Sequence, residues 1–291
     1  MTPLLADGLA ILATLAAVTT LIAWLAAGRI IRRVRPDPTL LPDALGVHFR
    51  HVTLHTRDGL ALSGRLSGED GPRPTVVICA GLFGSMDGDT ALVPPLVNAG
   101  FNVLQFDWRA HGMSAGQHTT LGLREVDDLL GAVDFLQARG VRRIGVLGLS
   151  MGGAVALRAA ARDPRIACGV ADSPYVHLTD ALEGVLKERI GLRLRPLVWL
   201  ILRFAQLRLG NLPLAETSPL PAVEGVGPVL YIFGTDDPLV PASDREAMYN
   251  KSGGPKSLWL VEGAGHRGAH AQRSASYHQR VVAFFEEHVE V

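Results

Sequence analysis

Cysteine is nearly absent from this chain. Cys79 and Cys168 are the only two among 291 residues, so no disulfide framework staples the fold. Each lies in a short apolar run, Val76-Val77-Ile78-Cys79 and Ile166-Ala167-Cys168-Gly169-Val170, the setting of a buried core thiol. Net charge is absent too, with 28 basic against 28 acidic residues, which removes any bulk attraction to nucleic acid or an acidic partner. No internal repeat or low-complexity tract occurs. A length of 291 residues suits one large domain, or one domain with an appendage.

Charge is also missing locally. Residues 8–27 carry no charged side chain, and they account for part of a positive mean hydropathy of +0.23. As a helix this stretch is about 30 Å long, the hydrocarbon thickness of a bilayer. Arg29, Arg32, Arg33 and Arg35 follow it, then a Pro36-Asp37-Pro38 break. A signal peptide has its basic residues before the apolar run, and here they come after it. A buried core helix shows a polar face, and this one has only scattered threonines. Residues 1–28 are therefore expected to form a single transmembrane anchor in the cell membrane, and residues 29–45 a basic linker. The arginines put the remainder, residues 46–291, on the cytoplasmic side.

That remainder opens with two strand candidates, residues 47–56 and 60–66, joined through Asp58-Gly59 as a hairpin. Further strand candidates fall at residues 75–79, 102–106, 143–147, 166–171, 229–233 and 257–261. Helix candidates fall at 91–99, 123–139, 153–161, 243–250 and 274–288. The alternation predicts an α/β fold: a mainly parallel sheet with helices on both faces. One segment breaks the pattern. About residues 176–225 separate two strands that a single crossover helix would join, and residues 190–209 mix Leu197, Trp199, Leu200, Ile201, Phe204 and Leu207 with four arginines. Either a lid insertion or interfacial element, or a further core-packing helix pair, fits that composition.

Gly148-Leu149-Ser150-Met151-Gly152 matches the G-x-S-x-G nucleophile elbow, with a predicted strand before it and a small-residue helix after. A serine needs a base that is itself oriented by a carboxylate. Enzymes built on this elbow run Ser, acid, His along the chain. His266, in Gly263-Ala264-Gly265-His266 just past the last strand, is the favoured base, and His270 four residues on begins a helix. For the acid, Asp236 and Asp237 follow a strand side by side, and spacing alone does not separate them. Asp172 is a backup, while Asp107 reads as serving its own turn. His48, His51 and His55 read as exposed strand residues rather than a metal cluster.

From about residue 47 onward the chain resembles bacterial α/β-hydrolases of the lipase, esterase and prolyl-oligopeptidase-like superfamily. The resemblance rests on Cys79-Ala80-Gly81-Leu82, on residues 106–114 (Phe106-Asp107-Trp108-Arg109-Ala110-His111-Gly112-Met113-Ser114), on the Ser150 elbow, on Gly234-x-x-Asp237-x-x-Val240-Pro241 and on Gly265-His266. It implies the α/β-hydrolase fold, Asp237 as the acid, and the backbone N–H groups of Leu82 and Met151 as the oxyanion hole. Two residues depart from the pattern: Ala80 stands where the family has histidine, and Ala110 where it has glycine.

The expected function is a serine hydrolase acting on carboxylic ester, thioester or amide bonds, with no metal or organic cofactor and no nucleic-acid partner. An apolar insertion beside an anchor favours lipid-like acyl substrates. A prolyl-oligopeptidase-like peptidase and a non-catalytic membrane-tethered scaffold are the competing expectations.

Overall fold

A computed structural model describes residues 3–35, 41–69 and 71–289; the Pro36-Asp37-Pro38 break lies outside them. The apolar runs assemble one eight-stranded sheet from β1 (Phe49–His55), β2 (Ala61–Ser67), β3 (Thr75–Cys79), β4 (Asn102–Phe106), β5 (Ile144–Leu149), β6 (Ile166–Asp172), β7 (Val229–Gly234) and β8 (Lys256–Val261). Their order is β1-β2-β4-β3-β5-β6-β7-β8. The hairpin runs from Phe49↔Ser67 to His55↔Ala61, and β2 also lies antiparallel to β4. All other pairs are parallel.

Strands β3, β4, β5 and β7 are buried along their whole length, as sandwiched parallel strands must be. Successive side chains alternate between two cores. Val77 and Cys79 join Leu104, Phe106 and Val146 on one face, beneath α3 (Glu125–Gln137) and α4 (Met151–Ala160). Val76 and Ile78 join Val103, Leu147 and Cys168 on the other, beneath α2 (Val93–Asn98) and α7 (Ser274–His288). The two thiols thus sit on opposite faces, free and buried, and burial raises both, Cys168 to about 12.

The helix expected at the N-terminus is α1 (Pro3–Ile30). Its segment Asp7–Ile30 is long and apolar enough to cross a membrane, with a mean hydropathy of 2.2. Leu9, Leu12, Leu15, Val18, Ile22 and Leu25 are each about half exposed or more. The helix is not exposed throughout, because Ala23 and Ala27 are wholly buried. What covers them is the insertion.

That insertion is a helix pair, α5 (Leu178–Ile190) and α6 (Arg195–Arg208), turned at Gly191 in the left-handed region. Helix α6 is amphipathic. Ile201 and Ala205 enter the same core as Ala23 and Ala27, while Trp199 is 63% exposed. The main partner of α6 is α1, with α5 second. Trp24 meets Phe204 edge-on at 5.4 Å, and the Arg208 guanidinium lies 3.8 Å over the Trp24 ring.

Past α1 the chain stays attached to the domain. Ile31 is buried; its carbonyl accepts from Thr119 N–H, and Val34 N–H donates to the Ala110 carbonyl at 2.8 Å. Arg33 donates to the carbonyls of Gly112 and Gly116. The first residues of the stretch read as a linker are therefore stitched to the 110–119 loop.

Candidate active site

After β3 the chain moves to β4 on one side, and then returns to place β5 on the other. The two connections leave in opposite directions, which opens a crevice at the C-terminal ends of β3 and β5. The loop Ala80-Gly81-Leu82 leaves β3 there, and Ser150 leaves β5 there. Ser150 is at φ 53, ψ −115, a sparsely populated positive-φ conformation that costs an L-residue about 1–3 kcal/mol. The surroundings hold it. Its N–H donates to the Asp172 carbonyl at 2.8 Å and its carbonyl accepts from Ala154 N–H as α4 begins. A Cβ on Gly148 would strike the Gly152 carbonyl, and one on Gly152 would strike the carbonyls of Cys79 and Ala80. The elbow needs both glycines for that reason.

Two further loops interlock beside it. Asp236 N–H donates to the Ala264 carbonyl and Thr235 N–H to the Val261 carbonyl, so the turn after β7 grips the turn after β8. This brings Asp237 and His266 together. The His266 Nδ1 is 2.8 Å from Asp237 Oδ2, and its Nε2 is 2.8 Å from Ser150 Oγ. One tautomer satisfies both contacts, with Nδ1–H donating to the carboxylate and Nε2 accepting from the hydroxyl. The Asp237 side chain is fully buried, and its Oδ1 accepts from Leu239 N–H at 2.8 Å.

The other candidates are elsewhere. Asp236 is exposed and accepts from Thr235 Oγ1. Asp172 is buried without touching His266: it accepts from Ser173 Oγ and Tyr277 O–H, and burial pushes its carboxyl up. Asp107 accepts from the N–H groups of Met86 and Met113, which is service to its own turn. His270 faces His278 across 2.9 Å, and burial lowers both imidazoles. His48, His51 and His55 are exposed. Among the described residues, His177, Asp180 and Asp244 bring possible ligand atoms within 4.8 Å of one another, but Asp180 already pairs with Arg195 at 2.9 Å.

The loop carrying Leu82 stands against the elbow, since a Cβ on Gly81 would lie 3.4 Å from Ser150 Cβ. Trp108 Nε1–H donates to the Ala80 carbonyl at 2.8 Å, and Gly84 N–H to that of Gly81. These bonds brace the loop where Ala80 replaces the family's histidine. Met151 opens α4, where helix geometry leaves N–H groups without intrahelical partners. The second departure has a backbone consequence: Ala110 adopts φ 57, the conformation for which glycine is suited.

Two residues of this neighbourhood carried no sequence signal. Arg267 follows His266 at φ 57, donates its N–H to Ser173 Oγ, and lays its guanidinium against Gly81. It forms an ion pair with the buried Asp89, just beyond the Leu82 loop. The pair ties the His266 loop to that loop across 178 positions of sequence, too far for any local pattern to mark it.

Comparison with known proteins agrees with this architecture. The alpha/beta hydrolase fold family matches residues 74–217. An uncharacterized protein of Bacillus subtilis, YqkD, is 31% identical over 217 residues, covering 73% of this chain and 71% of that protein. An uncharacterized protein of Mycobacterium tuberculosis, Rv2307c, is 30% identical over 264 residues, covering 88% and 86%. Among solved structures, the esterase Pf2001 of Pyrococcus furiosus superposes with a TM-score of 0.74 at 29% identity, over 89% of this chain and 99% of its own.

Proposed function

This chain belongs to the α/β-hydrolase family, and on that premise we propose that it is a membrane-anchored serine hydrolase of carboxylic esters, with Ser150, His266 and Asp237 as its triad. The observation that carries the reading is the unbroken hydrogen-bonded chain from Ser150 Oγ through the imidazole to a buried carboxylate. Ser150 Oγ attacks the acyl carbonyl while His266 Nε2 takes its proton. Asp237 holds the imidazole in the required tautomer and stabilises its charged form. The N–H groups of Leu82 and Met151 receive the oxyanion, a contribution of about 2.7–4 kcal/mol per donor in enzymes where one was removed. His266 then protonates the departing alcohol, and water, activated by the same imidazole, releases the acid.

Esters are favoured over amides because the Pyrococcus furiosus relative is an esterase. The test is purified full-length protein in detergent, treated with a fluorophosphonate probe and offered ester, thioester and dipeptide substrates. Labelling with turnover of esters supports the proposal. Absence of labelling leaves a non-catalytic scaffold.

The anchor is argued from burial. A cleaved signal would take Ala23 and Ala27 away with it and uncover the apolar side of α6. Full-length protein is therefore expected in the membrane fraction, resistant to carbonate washing and released by detergent. A chain starting at residue 36 is expected to be stripped from the membrane by carbonate washing, with a melting temperature lower by roughly 5 °C or more because α6 has lost its partner. Recovery of the full-length chain in the soluble fraction without detergent would refute the anchor.

The Arg267–Asp89 pair gives a kinetic expectation. Arg267→Gln and Asp89→Asn should each lower kcat about tenfold with KM nearly unchanged, and the double variant should be little worse than either. Additive losses would mean that the two residues act separately.

A further inference from the structure

We propose that the α5–α6 insertion is a lipid-docking surface, seated in the headgroup layer of the leaflet from which α1 emerges and selective for anionic lipid. The inference rests on the membrane-anchor reading of α1, but on no assumption about the triad.

A hydrocarbon core of about 30 Å takes up about 20 helical residues, and the apolar segment of α1 is the 24-residue stretch Asp7–Ile30. Helix α6 meets α1 at Trp24 and Gly28, with Ala23 and Ala27 buried in the same core. Those positions are the last two turns of the span. A helix packed against them lies at the boundary between acyl chains and water.

The insertion exposes Ile190, Leu192, Trp199 and Leu207, each 44–63% accessible, whereas the opposite side of α6 is buried. Tryptophan with one apolar and one polar edge is suited to that boundary. A cavity of about 240 Å³, lined in part by Val176, Leu178, Leu202 and Leu214, opens beside Trp199. A lipid chain of the same leaflet would meet the protein there.

The whole chain is neutral, yet the helix pair, residues 178–208, exposes Lys187, Arg189, Arg193, Arg203 and Arg208 against the one exposed acid Glu188. Of these, Arg193 reaches the Pro238 carbonyl and Arg208 lies over Trp24, and beyond α6 the insertion exposes Glu216 and Glu224. Arg195, also exposed, is engaged with Asp180 and Glu183. Clustered cations beside a membrane span attract anionic headgroups.

The test uses the full-length protein in nanodiscs of phosphatidylcholine, with and without phosphatidylglycerol. Cys79 and Cys168 are buried, so a fluorophore can be placed on Trp199→Cys or, as the comparator at the opposite end of the sheet, on Arg73→Cys. Nitroxide lipids are expected to quench the label at 199 severalfold and to leave that at 73 unaffected. In a second arm, Lys187→Glu with Arg189→Glu should slow hydrolysis of a long-chain ester embedded in anionic discs about tenfold, and leave a soluble short-chain ester unaffected. An unquenched label at 199 overturns the proposal, and so does cross-linking between two 199 positions, which would give the face to a second copy of the chain. Loss of the short-ester activity itself would count against the esterase reading, while the quenching result still decides docking.

Discussion

Ser150→Ala is expected to abolish fluorophosphonate labelling and to lower turnover by about 10⁶, the loss seen when a triad nucleophile is removed from another serine hydrolase. The reason is local. On the proposed mechanism the Oγ is the atom that attacks the substrate, and the hydrogen bond lost with it is the one to His266 Nε2. The backbone bonds that hold the elbow, from Ser150 N–H to Asp172 and from Ala154 N–H to Ser150, survive the change. Alanine bears the φ of 53 no worse than serine does. Loss of one part-buried hydrogen bond costs about 0.5–1.5 kcal/mol, a shift of a few degrees at most in a melting curve. Retained labelling would move the nucleophile elsewhere. Cys79 and Cys168 are poor substitutes, because burial keeps both as thiols.

Where the pattern in the sequence is local, it announces the fold well. The strands at 75–79 and 102–106 stand where their apolar runs put them, because a strand buried on both faces must be apolar throughout. The sharp turn at Ser150 was legible because its close backbone contacts demand Gly148 and Gly152 at fixed spacing. The contacts that stayed hidden are those between distant segments. Nothing in residues 190–209 says that the apolar stripe of α6 packs on the end of α1 rather than over the crevice; that follows from how the insertion folds back. The Arg33 contacts to the 110–119 loop and the pairing of Arg267 with Asp89 are of the same kind. Adjacent aspartates are a third case. Asp236 and Asp237 look alike in sequence, but the turn after β7 sends one side chain to solvent and the other into the protein.

Asp237→Asn is expected to lower kcat by about 10⁴, as the equivalent change does in another triad enzyme, and Asp236→Asn by less than about twofold. Asparagine at 237 keeps the size of the side chain and can still accept from Leu239 N–H. Its amide then donates toward His266 Nδ1, which places the imidazole proton on Nε2. A protonated Nε2 cannot take the proton of Ser150 Oγ, so the base is lost while the fold remains. Asp236 has no such position: it is exposed, and its side-chain partner is the neighbouring Thr235 hydroxyl at 3.2 Å. Asp172→Asn should behave differently again. That carboxyl lies buried between Ser173 Oγ and Tyr277 O–H, so its loss should appear in the melting temperature before it appears in kcat. Single-turnover rates and melting curves on the three variants separate the assignments. A crippled Asp236→Asn enzyme would exchange the roles of the neighbours. An Asp172→Asn enzyme that melts normally but does not turn over would make Asp172 the acid, and the 2.8 Å contact between His266 and Asp237 would then be structural.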